Sequence, residues 1–244
     1  MITAVGAADR TLSDLVQQDE RVMLVFDRFG LHYCCDGEKT LREAARLRGV
    51  PPETVIDALV ALSEPGEPAG SVRPGTAGLS GLIAQIVVEH HQSARSEAPV
   101  ITGWLGHLVD CHGVAHPELL VIRETWLALI GQLEPHLVKE EALVFPYIRE
   151  LEHARETGRR IPGSPFGTVL NPIRMMESEH ARHGRLMASI RELSRGFAVP
   201  ADGCDTYRRC MSALAGFEGN LHCDVHLENT VLFPAAIELE RQLL

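Results

Sequence analysis

An eleven-residue pattern occurs twice in this chain and constrains the fold more than any other feature. Residues 136–146 read HLVKEEALVFP and residues 224–234 read DVHLENTVLFP. Aligned, both copies begin with a metal-binding residue type (His136, Asp224). Both carry Glu at the fifth position (Glu140, Glu228) and end in Phe-Pro (Phe145-Pro146, Phe233-Pro234). Residues four apart on a helix share one face. Each copy would therefore aim a pair of ligand-type side chains in one direction, while Leu, Val and Phe cover the apolar side. A lone HxxxE is an ordinary solvated i,i+4 pair, but a solvated pair has no reason to recur inside the same apolar frame. Two such helices packed together place four nitrogen or oxygen donors in one bundle core, as carboxylate-bridged two-metal sites require.

The rest of the chain accommodates such a bundle. Residues 64–78 are rich in Pro and Gly and read as a linker. It separates a small helical domain, 1–63, from a larger one, 79–244. In the larger part no stretch shows sustained alternation with β-branched enrichment. Four helical blocks are expected, over residues 79–112 with a new turn at Pro99, 118–156, 169–195 and 205–243. The fold class is all-α, with an up-down-up-down four-helix bundle. Pro146 and Pro234 fall inside helical patterns and should kink them. In the small domain, Thr11 is a candidate N-cap for a helix running through Phe26. A loop spans residues 31–37, and Thr40 with Glu43 forms a capping-box signature. That second helix stops at Gly49, and Pro51-Pro52 starts a third. Three short helices promise little core of their own.

Composition excludes several partners. The net charge is −10, whereas phosphate backbones need a basic face, so nucleic acid is not expected. Lys occurs only at positions 39 and 139, which leaves no polybasic membrane anchor. No apolar run reaches the length of a membrane span, and the first residues lack the features of a secretion leader. The six cysteines, at 34, 35, 111, 204, 210 and 223, show neither zinc spacing nor a disulfide framework. A reducing, cytoplasmic setting fits. Twelve histidines are the one compositional pointer to metal.

The bundle offers candidate ligands on all four helices. His90 or His91 lies on the first, His136 and Glu140 on the second, His180 on the third, and Asp224 and Glu228 on the fourth. Three imidazoles with three carboxylates suit non-haem iron, with carboxylates bridging two ions; ligand type also admits zinc or manganese. Only Glu177-x-x-His180 matches the Glu-x-x-His pattern of ferritin-type sites, so that reading is the weaker. Glu177 and Glu179 would stand beside the site or in solvent. His222 and His226 lie about 160–200° around the helix from Asp224 and Glu228, and are expected at the surface or loosely packed. His107, His112, His116, His153 and His183 are expected to be exposed, with His112 and His116 near a helix break suited to capping or gating.

At these residues the chain resembles the di-iron iron–sulfur cluster repair proteins, the repair-of-iron-centres family, over nearly its whole length. The Tyr33-Cys34-Cys35 segment through Gly37 and Thr40-Leu41 looks like that family's short N-terminal domain. HLVKEEALVFP, MESEH at 176–180 and HLENTVLFP at 226–234 occur in the order of its hemerythrin-like domain. The resemblance implies ligands at His91, His136, Glu140, His180, Asp224 and Glu228, with Glu140 and Glu228 bridging two oxo-linked non-haem irons. It implies a stress protein that repairs iron–sulfur clusters damaged by nitric oxide or oxidants. Damaged iron–sulfur proteins would be its partners, nitric oxide or oxygen its small ligands, and an electron donor of unknown identity would serve it. It leaves room for a homodimer. Nitric oxide reduction at the centre, or sensing and carriage of oxygen or nitric oxide, are the alternatives. Two positions depart from the family pattern: Asp224, where His is usual, and Asp36, where Gly commonly follows the cysteine pair. Cys34 and Cys35 suit thiolate chemistry, either cluster docking or exchange with a partner thiol; the bland reading is two small buried apolar residues.

Overall fold

A computed structural model describes residues 6–61, apart from 20, 21, 23, 24, 27, 28, 30, 32 and 34–36, and residues 78–244, apart from 160, 162 and 165. Cys34, Cys35, Asp36 and most of the expected linker lie outside the described residues. The chain forms two compact units, Met1–Arg73 and Pro74–Leu244. Among the described residues there is no strand, only an isolated antiparallel bridge between Thr11 and Thr40.

The first unit contains α1 (Leu12–Gln18), α2 (Leu41–Leu47) and α3 (Pro52–Ala61). Thr11 caps α1 by accepting a hydrogen bond from the Asp14 N–H at 3.1 Å. The expected run through Phe26 is broken at Asp19, which takes an extended conformation (φ −157°, ψ 107°); Asp is a weak interior helix residue because its carboxylate competes for the backbone. The capping box of α2 is present, with the Glu43 N–H donating to Thr40 Oγ1 at 3.2 Å and the Thr40 N–H to Glu43 Oε2 at 2.9 Å. Gly49 follows α2 at φ +67°, a left-handed conformation that Gly takes without a Cβ penalty. The unit holds more core than three short helices promise. Leu12, Leu15, Val16, Phe26, Leu41, Val55 and Leu59 are buried together with Leu31 and Tyr33. The last two belong to the expected loop, so that segment adds apolar surface to the helices.

The second unit is a four-helix bundle of nearly continuous rods. The first rod is α4 (Gly78–Gln85) and α5 (Gln92–His112), joined by a π-helical turn at Ile86–His91. The second is α6 (Glu118–Lys139) and α7 (Phe145–Thr157), joined by a π turn at Glu140–Val144. The third is α8 (Leu170–Leu193). The fourth is α9 (Asp205–His226) and α10 (Phe233–Leu243), joined by a π turn at Leu227–Leu232. Within the bundle α5 packs on α6 and α9, α6 on α8, and α8 on α9, which gives the up-down-up-down ring. Pro99 does not start a new helix; α5 runs through it. The buried face of Ala98, Ile101 and Leu105 continues across it, and apolar burial holds the rod together across one lost hydrogen bond. The kinks expected at Pro146 and Pro234 take the form of the π turns directly before them. In these turns the N–H of Phe145 reaches the carbonyl of Glu140, and the N–H of Phe233 reaches that of Glu228. These i→i+5 bonds insert one extra residue into the turn.

Two buried glutamates tie one end of the bundle. Glu152 of α7 accepts from the Leu79 and Ser80 N–H groups at 2.6 and 2.8 Å, so it caps the start of α4. Gly78 is required there, because a Cβ would stand 2.3 Å from Glu152 Oε1. Glu240 of α10 accepts from the Val169 N–H at 3.0 Å, the Thr168 hydroxyl at 2.5 Å and the Tyr147 hydroxyl at 2.8 Å. It thereby caps the start of α8.

Candidate metal centre

All six side chains that the resemblance marks as ligands meet in the middle of the bundle, and all are buried: His91, His136, Glu140, His180, Asp224 and Glu228. They divide into two groups. In the first, His136 Nε2 and His180 Nε2 lie 2.9 Å apart. Glu140 Oε1 is 3.2 Å from His136 Nε2 and 3.4 Å from His180 Nε2, and Glu228 Oε2 is 3.1 Å from His180 Nε2. In the second, His91 Nε2 is 3.6 Å from Glu140 Oε2, 3.7 Å from Asp224 Oδ1 and 3.7 Å from Glu228 Oε1. Each of Glu140 and Glu228 therefore turns one oxygen to each group.

A cation fits this arrangement. His91 Nε2, both oxygens of Glu140, both of Glu228 and Asp224 Oδ1 are buried without a hydrogen-bond partner. Buried polar atoms are normally paired, and an unpaired one costs about 1–3 kcal/mol. Six of them converge on one small volume, and a cation there would satisfy them. Acid–base behaviour in the metal-free protein says the same. Burial works against charge on His91, yet Glu228, Asp224 and Glu140 outweigh it and lift the imidazole to about 9. Burial likewise opposes charge on His180, and Glu140 and Glu228 raise it well above the ordinary value. Glu140 is held down at about 2, because its bonds to His136 and His180 overcome burial. Asp224 goes the other way: burial and the neighbouring Glu228 charge raise it well above the usual carboxylate range. Protons thus stand where cations would compensate the carboxylates.

The imidazoles are oriented from outside. His91 Nδ1 lies 2.7 Å from Glu141 Oε1, which also accepts from Arg95 Nη1 at 2.7 Å. His136 Nδ1 lies 2.8 Å from Glu179 Oε2, which accepts from Lys139 Nζ at 2.6 Å. His180 Nδ1 lies 2.9 Å from Asn229 Oδ1. A ring that donates through Nδ1 keeps the Nε2 lone pair for the centre. The repeated Phe has its own place: Phe145 stacks on His91 at 5.7 Å between ring centroids, and Phe233 on His180 at 6.1 Å with an interplanar angle of 4°. The repeat is thus one device used twice. A glutamate enters a π turn, and the phenylalanine that closes the turn covers a histidine from another rod.

Other candidates fall elsewhere. His90 turns to Asn220, with Nδ1 and Oδ1 2.7 Å apart, and Glu177 is exposed. Three expectations of exposure are corrected. His222 and His226 are buried, each 5% exposed, because α9 is covered around most of its circumference between Leu221 and His226. His226 is pushed down to about 4 by that burial. His183 is 1% exposed and its ring centre lies 4.9 Å from that of His136. It sits three residues after His180 and so shares its face of α8. Burial, then the charges of His136 and His180, push it down to about 3. His116 bridges Glu118 (3.2 Å) and Asp202 (3.0 Å), joining the start of α6 to the loop before α9. The orienting partners Glu141, Arg95, Lys139 and Asn229 are not readable from spacing, since all four contacts they form cross between rods. The one local signal is the doubled acid Glu140-Glu141.

Comparison with known proteins agrees with this geometry. Residues 82–236 match the hemerythrin HHE cation binding domain family. Residues 8–63 match the ScdA_N family, described as a domain of unknown function. The chain is 29% identical over 234 residues to the iron-sulfur cluster repair protein YtfE of Musicola paradisiaca, covering 95% of this chain and 98% of the relative. It is 28% identical over 230 residues to YtfE of Salmonella typhimurium, covering 94% and 97%. It is 26% identical over 209 residues to the iron-sulfur cluster repair protein ScdA of Staphylococcus haemolyticus, covering 86% and 89%.

Proposed function

The chain belongs to the hemerythrin HHE cation-binding domain family, here carried behind an ScdA-type N-terminal domain, and from that premise we propose that it is a two-iron protein that repairs iron–sulfur clusters damaged by nitrosative or oxidative stress. The observation that carries the metal assignment is the set of buried, unpartnered donor atoms in two groups that share Glu228, with Glu140 in the first group and its other oxygen 3.6 Å from His91 Nε2. His136 and His180 would hold one iron and His91 with Asp224 the other, with both glutamates reaching each ion. Mixed imidazole and carboxylate donors with shared carboxylates favour iron over a single tetrahedral zinc. The relatives' repair role, taken over nearly the full chain, supports damaged iron–sulfur proteins as clients.

The bound iron pair supplies redox chemistry and a source of iron. This chain's residues set the terms for it. Glu179 with Lys139, and Glu141 with Arg95, hold the rings of His136 and His91 so that Nε2 faces inward. Phe145, Phe233, Val144 and Leu232 are buried and exclude water beside the centre. Cys34 and Cys35 would offer adjacent thiols for a client cluster. Among the described residues no helix is long and apolar enough to cross a membrane.

The test is direct. Protein reconstituted anaerobically with ferrous iron should hold about two irons per chain and restore activity to a hydro-lyase whose cluster nitric oxide has damaged. Glu140→Ala should lose both properties. Full repair by protein that binds no iron would sink the assignment.

A further inference from the structure

The three π turns of the bundle are not fixed in the same way. Those at Glu140–Val144 and Leu227–Leu232 run into Phe145-Pro146 and Phe233-Pro234. Proline has no N–H, so the regular ladder cannot close at that place and the extra residue is held just before it. The turn at Ile86–His91, IVVEHH, is closed by the Gln92 N–H on the Val87 carbonyl and is followed by no proline. A π turn inserts one residue into a helix. Moving that residue past His91 would swing the His91 side chain about 100° around the rod. His91 nonetheless reaches the group it forms with Asp224 and Glu228, while its neighbour His90 turns to Asn220.

Asn220 of α9 holds His90 at two points. Its Nδ2–H donates to the His90 carbonyl at 3.1 Å, and its Oδ1 lies 2.7 Å from His90 Nδ1. A carbonyl oxygen only accepts, so the first bond fixes the orientation of the amide, and Oδ1 then accepts from an Nδ1–H on His90. One side chain thus grips the backbone and the ring of the residue beside the ligand. Asn220 also lies four residues before Asp224, one turn away on the same face of α9. Resting on the two-metal reading above, we infer that Asn220 is a positioning residue of the centre. It sets the register of the π turn in the first rod, as Phe-Pro does in the second and fourth, and so places His91 beside Asp224 and Glu228. The His91 ring is held separately, by Glu141 of the second rod, so ring orientation and backbone register have different keepers. His90 and Asn220 are both half-buried. Water can therefore satisfy the groups that a substitution frees, and the cost falls on the placement of His91 rather than on the fold.

The experiment uses the full chain, loaded anaerobically with ferrous iron. Competition with a chelator gives the affinity of each iron, and anomalous diffraction at the iron edge on partly loaded crystals assigns each to its half. In Asn220→Ala the iron at His91 should be held about 10–100-fold more weakly, the usual cost of losing a partner outside the ligands. The iron at His136 and His180 should be held as in the parent, and thermal unfolding of the metal-free protein should be unchanged. His90→Ala removes the ring contact and leaves the carbonyl bond, so it should weaken the same iron by a smaller factor. The double variant should be no weaker than Asn220→Ala, because Asn220 acts only through residue 90. Unchanged affinity in Asn220→Ala, equal weakening of both irons with or without a lower unfolding midpoint, or additive losses in the double variant would overturn the inference and leave the two-metal reading standing. Failure of the parent chain to bind iron in the bundle would instead bring down the two-metal reading itself.

Discussion

Each imidazole of the centre is fixed through its outer nitrogen, and this makes the outer partners sensitive positions. Removing such a partner usually costs about 10–100-fold in metal affinity. Glu141→Gln should weaken binding at the His91 half by that order, measured by competition with a chelator, while helicity stays unchanged. His183 stands against His136 but is held neutral by burial; His183→Leu should keep the metal and the fold. His116 provides a clean pH dependence far from the centre. Its bond to Asp202, followed by that to Glu118, raises its pKa, so its stabilising contribution is fully present below the unfolded value of about 6.5 and is lost as pH rises through the folded value. An NMR titration of His116 should give a midpoint above 6.5, and Asp202→Asn should move it down.

At the level of elements, the bundle rods depend on buried caps as well as apolar faces. Glu240 receives two hydroxyls and a backbone N–H. Glu240→Ala would leave these donors unpaired at about 1–3 kcal/mol each where water cannot reach. Urea unfolding should show the loss, with the metal content of the surviving folded protein unaffected. The helices and their ligand face were legible in the sequence, because i,i+4 spacing survives any tertiary packing. The π turns were not. The sequence pattern reported only a proline in a helical stretch, and an extra residue in one turn is a tertiary compromise between packing on its two sides. The burial of His222 and His226 was hidden for a related reason. Helical phase tells which residues face together, but a helix covered on several sides has no exposed face for that phase to predict.

In the molecule as a whole, the two units each carry a core. Leu12, Phe26, Leu41 and Leu59 belong to one; Ile83, Ile148, Met176 and Leu239 belong to part of the other. The fragment 74–244 is therefore expected to fold alone and keep its metal affinity, read by a single cooperative thermal transition and by metal analysis. Loss of repair with metal retained in that fragment would locate client handling in the first unit. Within the bundle, the ligand layer separates two apolar stacks. Ile83, Ile148, Leu151, Ile173 and Leu239 lie on the side of α4, α7 and α10, and Leu105, Ile122, Trp126, Ile190 and Leu214 on the other. Three of the four rods pass between these stacks through a π turn. Such a turn works as a vernier, letting the helix above and the helix below keep separate rotational settings. A change of volume in one stack need not be handed on to the other. Leu105→Ala and Leu151→Ala should then be additive in unfolding free energy to within about 0.5 kcal/mol, with each end of the bundle keeping its own packing.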